Sequence, residues 1–263
     1  MLKKLLKYDL KWIYKVLIVF YILSILFALF TRVLFSVEDS FILNIVAKIS
    51  SGITISMIFN ILINNIMRLW ARFAKNIYGD ESYLTHTLPV KKQTIYKAKF
   101  LAALITMFTS MIVIAATLFI AYYSKENLQV IKDILVPIVE MYDSTIVGFL
   151  LVIIFVFFLE MFVVLQAGCT GMILGHKKNN NKMGFSILFG FISYIITQAA
   201  ILLTLFIIGL FNQDIMNMFI TTEIVSIDLI KNIMYMAIIM YSVCIMIYYY
   251  VNIKLFKKGV NVD

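Results

Sequence analysis

Six long apolar runs, at residues 16–35, 45–69, 100–123, 145–173, 183–211 and 233–253, dominate the pattern of this chain. Each reaches the roughly 20 residues that a helix needs to cross a hydrocarbon core. The alternating apolar–polar wording of β-barrel strands is missing, so the pattern predicts six membrane-spanning helices. Ahead of the first run, Leu2, Leu5, Leu6, Leu10, Trp12, Ile13, Val16 and Leu17 fall on one helical arc. Lys3, Lys4, Lys7, Lys11 and Lys15 fall on the opposite one. This predicts an interfacial amphipathic helix over 1–15, lying along the membrane before the first span turns in. Asp9 breaks the pattern from the middle of the apolar arc, which calls for an ion pair there, a contact with the following polar loop, or a contact with a partner protein.

The longest polar island, residues 72–99, separates the second and third runs. The helical pattern of the second run continues through 68–78. Gly79 is placed to stop it in a left-handed C-cap, and Asp80 to cap a new short helix that carries Glu81 in its first turn. That helix, over 80–87, ends before Pro89. Leu84 and Leu88 lie four apart with Tyr83 beside them, giving a two-turn helix an apolar side with nothing of its own to cover it.

Composition narrows the class: 63% of residues are hydrophobic and 14% charged, too apolar for a soluble domain of this size. The chain reads as one transmembrane domain over 1–263. Charge sets its orientation. With the N-terminus inside, 18 of the 23 basic residues fall on inner segments, while nine acids (Glu38, Asp39, Glu126, Asp133, Glu140, Asp143, Asp214, Glu223 and Asp228) fall on outer ones. Both termini are therefore expected in the cytoplasm. The net charge of +9 is explained by topology and anionic lipid, and no nucleic-acid partner is implied. The lysines before an apolar run resemble a signal peptide, but the run is too long and no small-residue cleavage site follows. Cys169 and Cys244 lie in predicted spans with no metal-like spacing and read as packing residues. There is no P-loop, no HExxH and no GxSxG, and the two histidines, His86 and His176, fall in different loops. No catalytic residue, metal site or cofactor site is expected in this chain.

Taken together, Gly79-Asp80-Glu81-x-Tyr83-Leu84-Thr85-x-Thr87-Leu88-Pro89-Val90, the basic aromatic helix before it and the lysine-rich helix start after it resemble the loop between spans two and three of bacterial ABC-2-type transporter permeases. The six-span layout, the amphipathic N-terminus and the missing ATPase site resemble that family along the whole chain. The resemblance implies a permease subunit of an ATP-driven exporter in the bacterial cell membrane. It implies pairing with a second permease subunit, the same or related, and docking of separate ABC ATPase subunits that bind ATP and Mg. Residues 80–87 would be the cytoplasmic coupling helix, with Gly79, Asp80, Glu81, Tyr83, Leu84, Thr85, Leu88 and Pro89 as the coupling residues.

Polar residues inside the spans are the candidates for a substrate pathway. Ser50, Thr54, Asn60, Asn64 and Arg68 approximate a stripe on the second span. Ser186, Gly190, Ser193, Thr197 and Thr204 do so on the fifth, with Gln198 adjacent. In the resembled family these two spans face the dimer axis, which implies a shared translocation seam; interhelical hydrogen bonding is the alternative. Glu160, midway along the fourth span, is either a protonatable or substrate-contacting group or a structural hydrogen-bond partner. Its face continues through Gly168, Gly171 and Gly175, where another backbone is expected to approach closely. The outer loops are short. A polar, mostly uncharged seam with aromatics nearby suits an amphipathic peptide, drug or lipid-like cargo. Two other functions remain. An ion-coupled secondary transporter calls for internal repeats and paired midplane charges; a membrane enzyme acting on lipid calls for clustered acids or histidines at one interface. Neither pattern is found.

Overall fold

The computed structural model describes residues 1–37, 41–141, 145–220 and 227–258, with the side chains of 141, 218, 227 and 228 left aside. Glu38, Asp39, Asp143 and Glu223, assigned above to outer segments, lie outside the described residues, as does the side chain of Asp228. Among the described residues the chain is helical, with no strand: α1 Leu2–Phe35, α2 Phe41–Ile77, α3 Ser82–Thr87, α4 Lys92–Tyr122, α5 Lys125–Met141, α6 Ile146–Gly175, α7 Lys182–Gly209, α8 Gln213–Ile220 and α9 Ile227–Lys257. Helices α1, α2, α4, α6, α7 and α9 are long and apolar enough to cross a membrane.

Two sequence expectations need correction. The interfacial segment is not a separate element. Residues 2–15 run into the first span as one 34-residue helix, because no glycine or proline between Leu2 and Phe35 interrupts the ladder. At 1.5 Å per residue that helix is about 50 Å long, well beyond a hydrocarbon core of about 30 Å. The segment after the third span is also not a short loop but the 17-residue α5, which accommodates Pro137 inside it.

The chain divides into two compact units, Met1–Val130 and Ile131–Val262. In the first, α1 packs against α2 and α4, and α2 against α4. Layers of hydroxyl and amide pairs hold these helices together. Tyr14 and Thr109 share a hydrogen bond of 2.6 Å, Tyr21 and Ser110 one of 2.7 Å, and Ser24 and Thr117 one of 3.2 Å. Thr31 meets both Ser50 and Thr54, and Ser51 meets Tyr122. Asn65, 1% exposed, donates to Ser110 Oγ at 2.7 Å. Such pairs supply the direction that apolar packing lacks inside lipid.

In the second unit α6 packs against α7 and α9, and α8 against α7. The glycine face of α6 is where α7 crosses. A Cβ on Gly171 would lie 2.5 Å from the Gly190 Cα, and one on Gly175 the same distance from the Ser186 Cα. The connection into α7 turns at Asn181, which adopts φ 47°, the left-handed region asparagine tolerates, and caps α7 by accepting from the Gly184 amide. Toward α9, Thr170 donates to Asn252 at 2.8 Å, and Thr197 and Tyr248 share a bond of 2.6 Å.

Candidate functional site

The polar island folds into a compact structure at the end of α2. The helix runs to Ile77, as the pattern predicts, and then turns through bonds from the Gly79 amide to Ala74 and from the Glu81 amide to Lys75. Gly79 is not left-handed, contrary to expectation. A side chain is unwelcome there for another reason: an added Cβ would sit 3.3 Å from the Lys75 Cα. The short helix begins at Ser82 rather than 80, and Asp80 does not cap it. Glu81 holds the N-cap position with no side-chain cap bond, because its carboxylate is engaged elsewhere. Leu88 ends the helix in extended backbone with ψ 136°, the conformation the ring of Pro89 imposes on the residue before it.

The inner face of α3 is pinned to α2. Arg72 Nη1 donates to Glu81 Oε2 at 2.6 Å. Asn76 Nδ2 donates to the same oxygen at 3.2 Å and to Thr85 Oγ1 at 2.9 Å. His86 Nε2 lies 3.1 Å from the Ile77 carbonyl. Ser82 and Thr85 are buried on this side. The outer face carries Tyr83, 78% exposed, and Leu84, 70% exposed, with Leu88 also exposed.

Arg72 joins this face to the rest of the unit. Its Nε donates to Asp9 Oδ1 at 2.8 Å, and Lys99 Nζ donates to the same oxygen at 2.6 Å. Asp9 is 3% exposed, and its place on the apolar arc is now explained: it meets the two cations that flank the polar island, at the end of α2 and the start of α4. Two carboxylates and two cations thus form a balanced chain across α1, α2, α3 and α4, as burial of charge requires. Trp12 covers one side, with the Arg68 guanidinium 3.6 Å from its ring centroid and Arg68 Nη2 donating to its carbonyl. Phe73 lies against Tyr78 and Tyr96, all three nearly inaccessible. Burial alone would raise the Glu81 carboxyl, but the Arg72 charge and the bonds from Arg72 and Asn76 outweigh it and bring it below its ordinary value.

Sequence reasoning missed Arg72, Asn76 and Lys99 as members of this site. The signal was Asp9 itself: a carboxylate on an apolar arc demands buried cations, but seven lysines and arginines over residues 68–99 share the demand and only the fold selects two.

The pathway candidates are distributed over the two units. In the first, Asn60 and Asn64 are half-buried, each donating one turn back along α2, to Ser56 and Asn60. Ser50 and Thr54 instead face α1 through Thr31. In the second, Thr197 faces α9 through Tyr248, while Ser186 and Gly190 face α6. Glu160 is half-buried and accepts a long bond, 3.4 Å, from the Tyr194 hydroxyl. Gln198 has a buried Nε2 without a hydrogen-bond partner among the described residues.

No protein-family model matches the chain, and neither a curated protein nor a solved structure matches it.

Proposed function

We propose that the chain is the membrane-spanning subunit of an ATP-driven exporter of the ABC-2 permease type, with both termini in the cytoplasm of a bacterial cell. A second permease subunit completes the translocation path, and separate ABC ATPases supply the ATP and Mg chemistry. The cargo is amphipathic: a peptide, drug or lipid-like molecule. One observation carries the reading. Helix α3 is fixed along its inner face by Glu81 and Thr85 and presents Tyr83 and Leu84, 78% and 70% exposed, on its outer face. A six-residue helix has no stability of its own, so a firmly anchored one with two bare apolar side chains is built to be met from outside. Tyrosine beside leucine is a docking pair that a groove on a soluble subunit accommodates.

The test is co-purification of the full chain with co-expressed candidate cassette ATPases. Wild type should hold an ATPase through size exclusion. Replacing Tyr83 and Leu84 together by Ser should weaken that complex at least about tenfold, the loss of one or more hot-spot contacts, while the chain alone stays monodisperse. Binding unchanged by the double substitution, or no ATPase retained by wild type, refutes the reading.

A further inference from the structure

The four-element ion chain has a shape that simple anchoring of α3 does not require. Anchoring is already supplied by the Arg72–Glu81 pair, the Asn76–Thr85 bond and the His86–Ile77 contact, all between α3 and α2. Yet Arg72 reaches back to Asp9, and Lys99 converges on the same Asp9 oxygen from α4. Asp9 is the eighth residue of α1, ninety positions from Lys99 in sequence, and its hydrogen bonds go to α2 and α4 rather than to α3. We infer that Asp9 is a positioning residue: it locks α1 and α4 to the α2–α3 corner, so that a displacement of α3 is carried into three spans together.

The physical argument is the cost of separation. Moving α3 and the end of α2 that carries Arg72, while α1 and α4 stay behind, leaves the buried Asp9 carboxylate and the buried Arg72 guanidinium each short of a partner; single-partner losses of this kind are among the most expensive in folded proteins. Moving all four elements together keeps every pair intact. The uninterrupted helix from Leu2 to Phe35 then acts as a lever, because residues 2–15 and the first span are one body. The same holds for Lys99 and the third span, both in α4. The inference rests on α3 being the docking element only for its consequence in transport; the mechanical linkage is a property of the isolated chain.

Hydrogen–deuterium exchange of the full chain in lipid nanodiscs tests it. Asp9→Asn should speed exchange of the α3 amides, 82–87, at least about tenfold although the Asp9 carboxylate bonds only to Arg72 and Lys99. Glu81→Gln should reciprocally speed exchange over residues 5–12, since coupling between two sites acts equally in both directions. Lys11→Gln, on an exposed lysine of the same helix, should leave α3 within about twofold of wild type. Asp9→Asn with Lys99→Met restores charge balance but severs the tie. It should return α3 exchange to near wild type, while Glu81→Gln in that background no longer affects residues 5–12. A merely structural contribution would not separate stability from coupling in this way. If Asp9→Asn fails to fold, the Glu81→Gln arm in the wild-type and double backgrounds decides alone. Effects confined to the element that carries each substitution, an equal response to Lys11→Gln, or coupling that survives in the double background overturns the inference. None of these measurements involves an ATPase, so failure of docking and failure of the linkage are separate results.

Discussion

Replacing Gly171 by Ala adds one methyl group where α6 and α7 touch backbone to backbone. That Cβ would lie 2.5 Å from the Gly190 Cα and overlap both the Gly190 nitrogen and the Ser186 oxygen, which together form one rung of α7's own ladder. Carbon atoms rest about 3.5–4.0 Å apart, so α7 must retreat by about 1 Å. A gap of that size forfeits roughly a quarter to a half of each contact's attraction along the crossing. Overpacking of this kind costs about 1–3 kcal/mol, or about 5- to 150-fold in the folding equilibrium. Gly52→Ala is the matched control, because nothing lies within 4 Å of a Cβ there. It should be neutral or slightly stabilising through alanine's better helix propensity. Unfolding in mixed micelles of increasing SDS, followed by circular dichroism, ranks the two. Adding Gly175→Ala to Gly171→Ala should cost less than the sum of the singles, since both methyl groups meet Ser186. Gly171→Ala indistinguishable from Gly52→Ala would mean that the close crossing does not exist in the membrane, and the reasoning fails.

Two further outcomes follow from the hydrogen-bonding pattern. Glu81 titrates below its ordinary value when folded. Its stabilisation of α3 is therefore fully present above that ordinary value and lost as pH falls through the lower folded one. Exchange of the 82–87 amides, corrected for its intrinsic pH dependence, should stay level from neutral pH down to the ordinary glutamate value and rise as pH falls below it, whereas Glu81→Gln should show no such step. A step that persists in Glu81→Gln assigns the titration to another group. Thr197→Val removes the 2.6 Å bond to Tyr248 but leaves that hydroxyl donating to the Ser193 carbonyl. It should cost about 0.5–1 kcal/mol in the SDS assay, and Tyr248→Phe, which removes both bonds, should cost more. The reverse order would show that the pair does not hold α7 to α9.

The six long apolar helices were legible because their signal is length and continuity of apolar residues, which is a property of each segment separately. The glycine face of α6 was legible for the same reason: Gly168, Gly171 and Gly175 are local facts about one helix. What depended on distant partners was not. A change from amphipathic to apolar wording near residue 15 reads as a turn, yet backbone continuity is decided by the absence of breakers, and the helix passes straight through. Asp80 and Gly79 fit the local grammar of caps. Arg72 and Asn76 instead draw the Glu81 carboxylate inward, and the helix start shifts to Ser82. The polar stripe of the second span divides by depth: Ser50 and Thr54 meet Thr31, Asn60 and Asn64 bond to their own helix, and Arg68 lies over Trp12. Asn65 is the residue of that helix buried against Ser110, and no periodicity distinguishes it from Asn64 beside it.

The hydroxyl layers of the first unit also bear on how a ribosome delivers it. Single hydroxyls on Tyr14, Tyr21, Ser24 and Thr31 are cheap to release into lipid, unlike a charge at mid-depth, so α1 can leave the translocon alone. Its partners Thr109, Ser110 and Thr117 follow 89 to 95 residues later. Of the two cations that Asp9 meets, Arg72 is synthesised with α2 and Lys99 only with α4. Synthesis thus meets α1 first as a solitary inserted helix, and only the arrival of the third span gives it a final address.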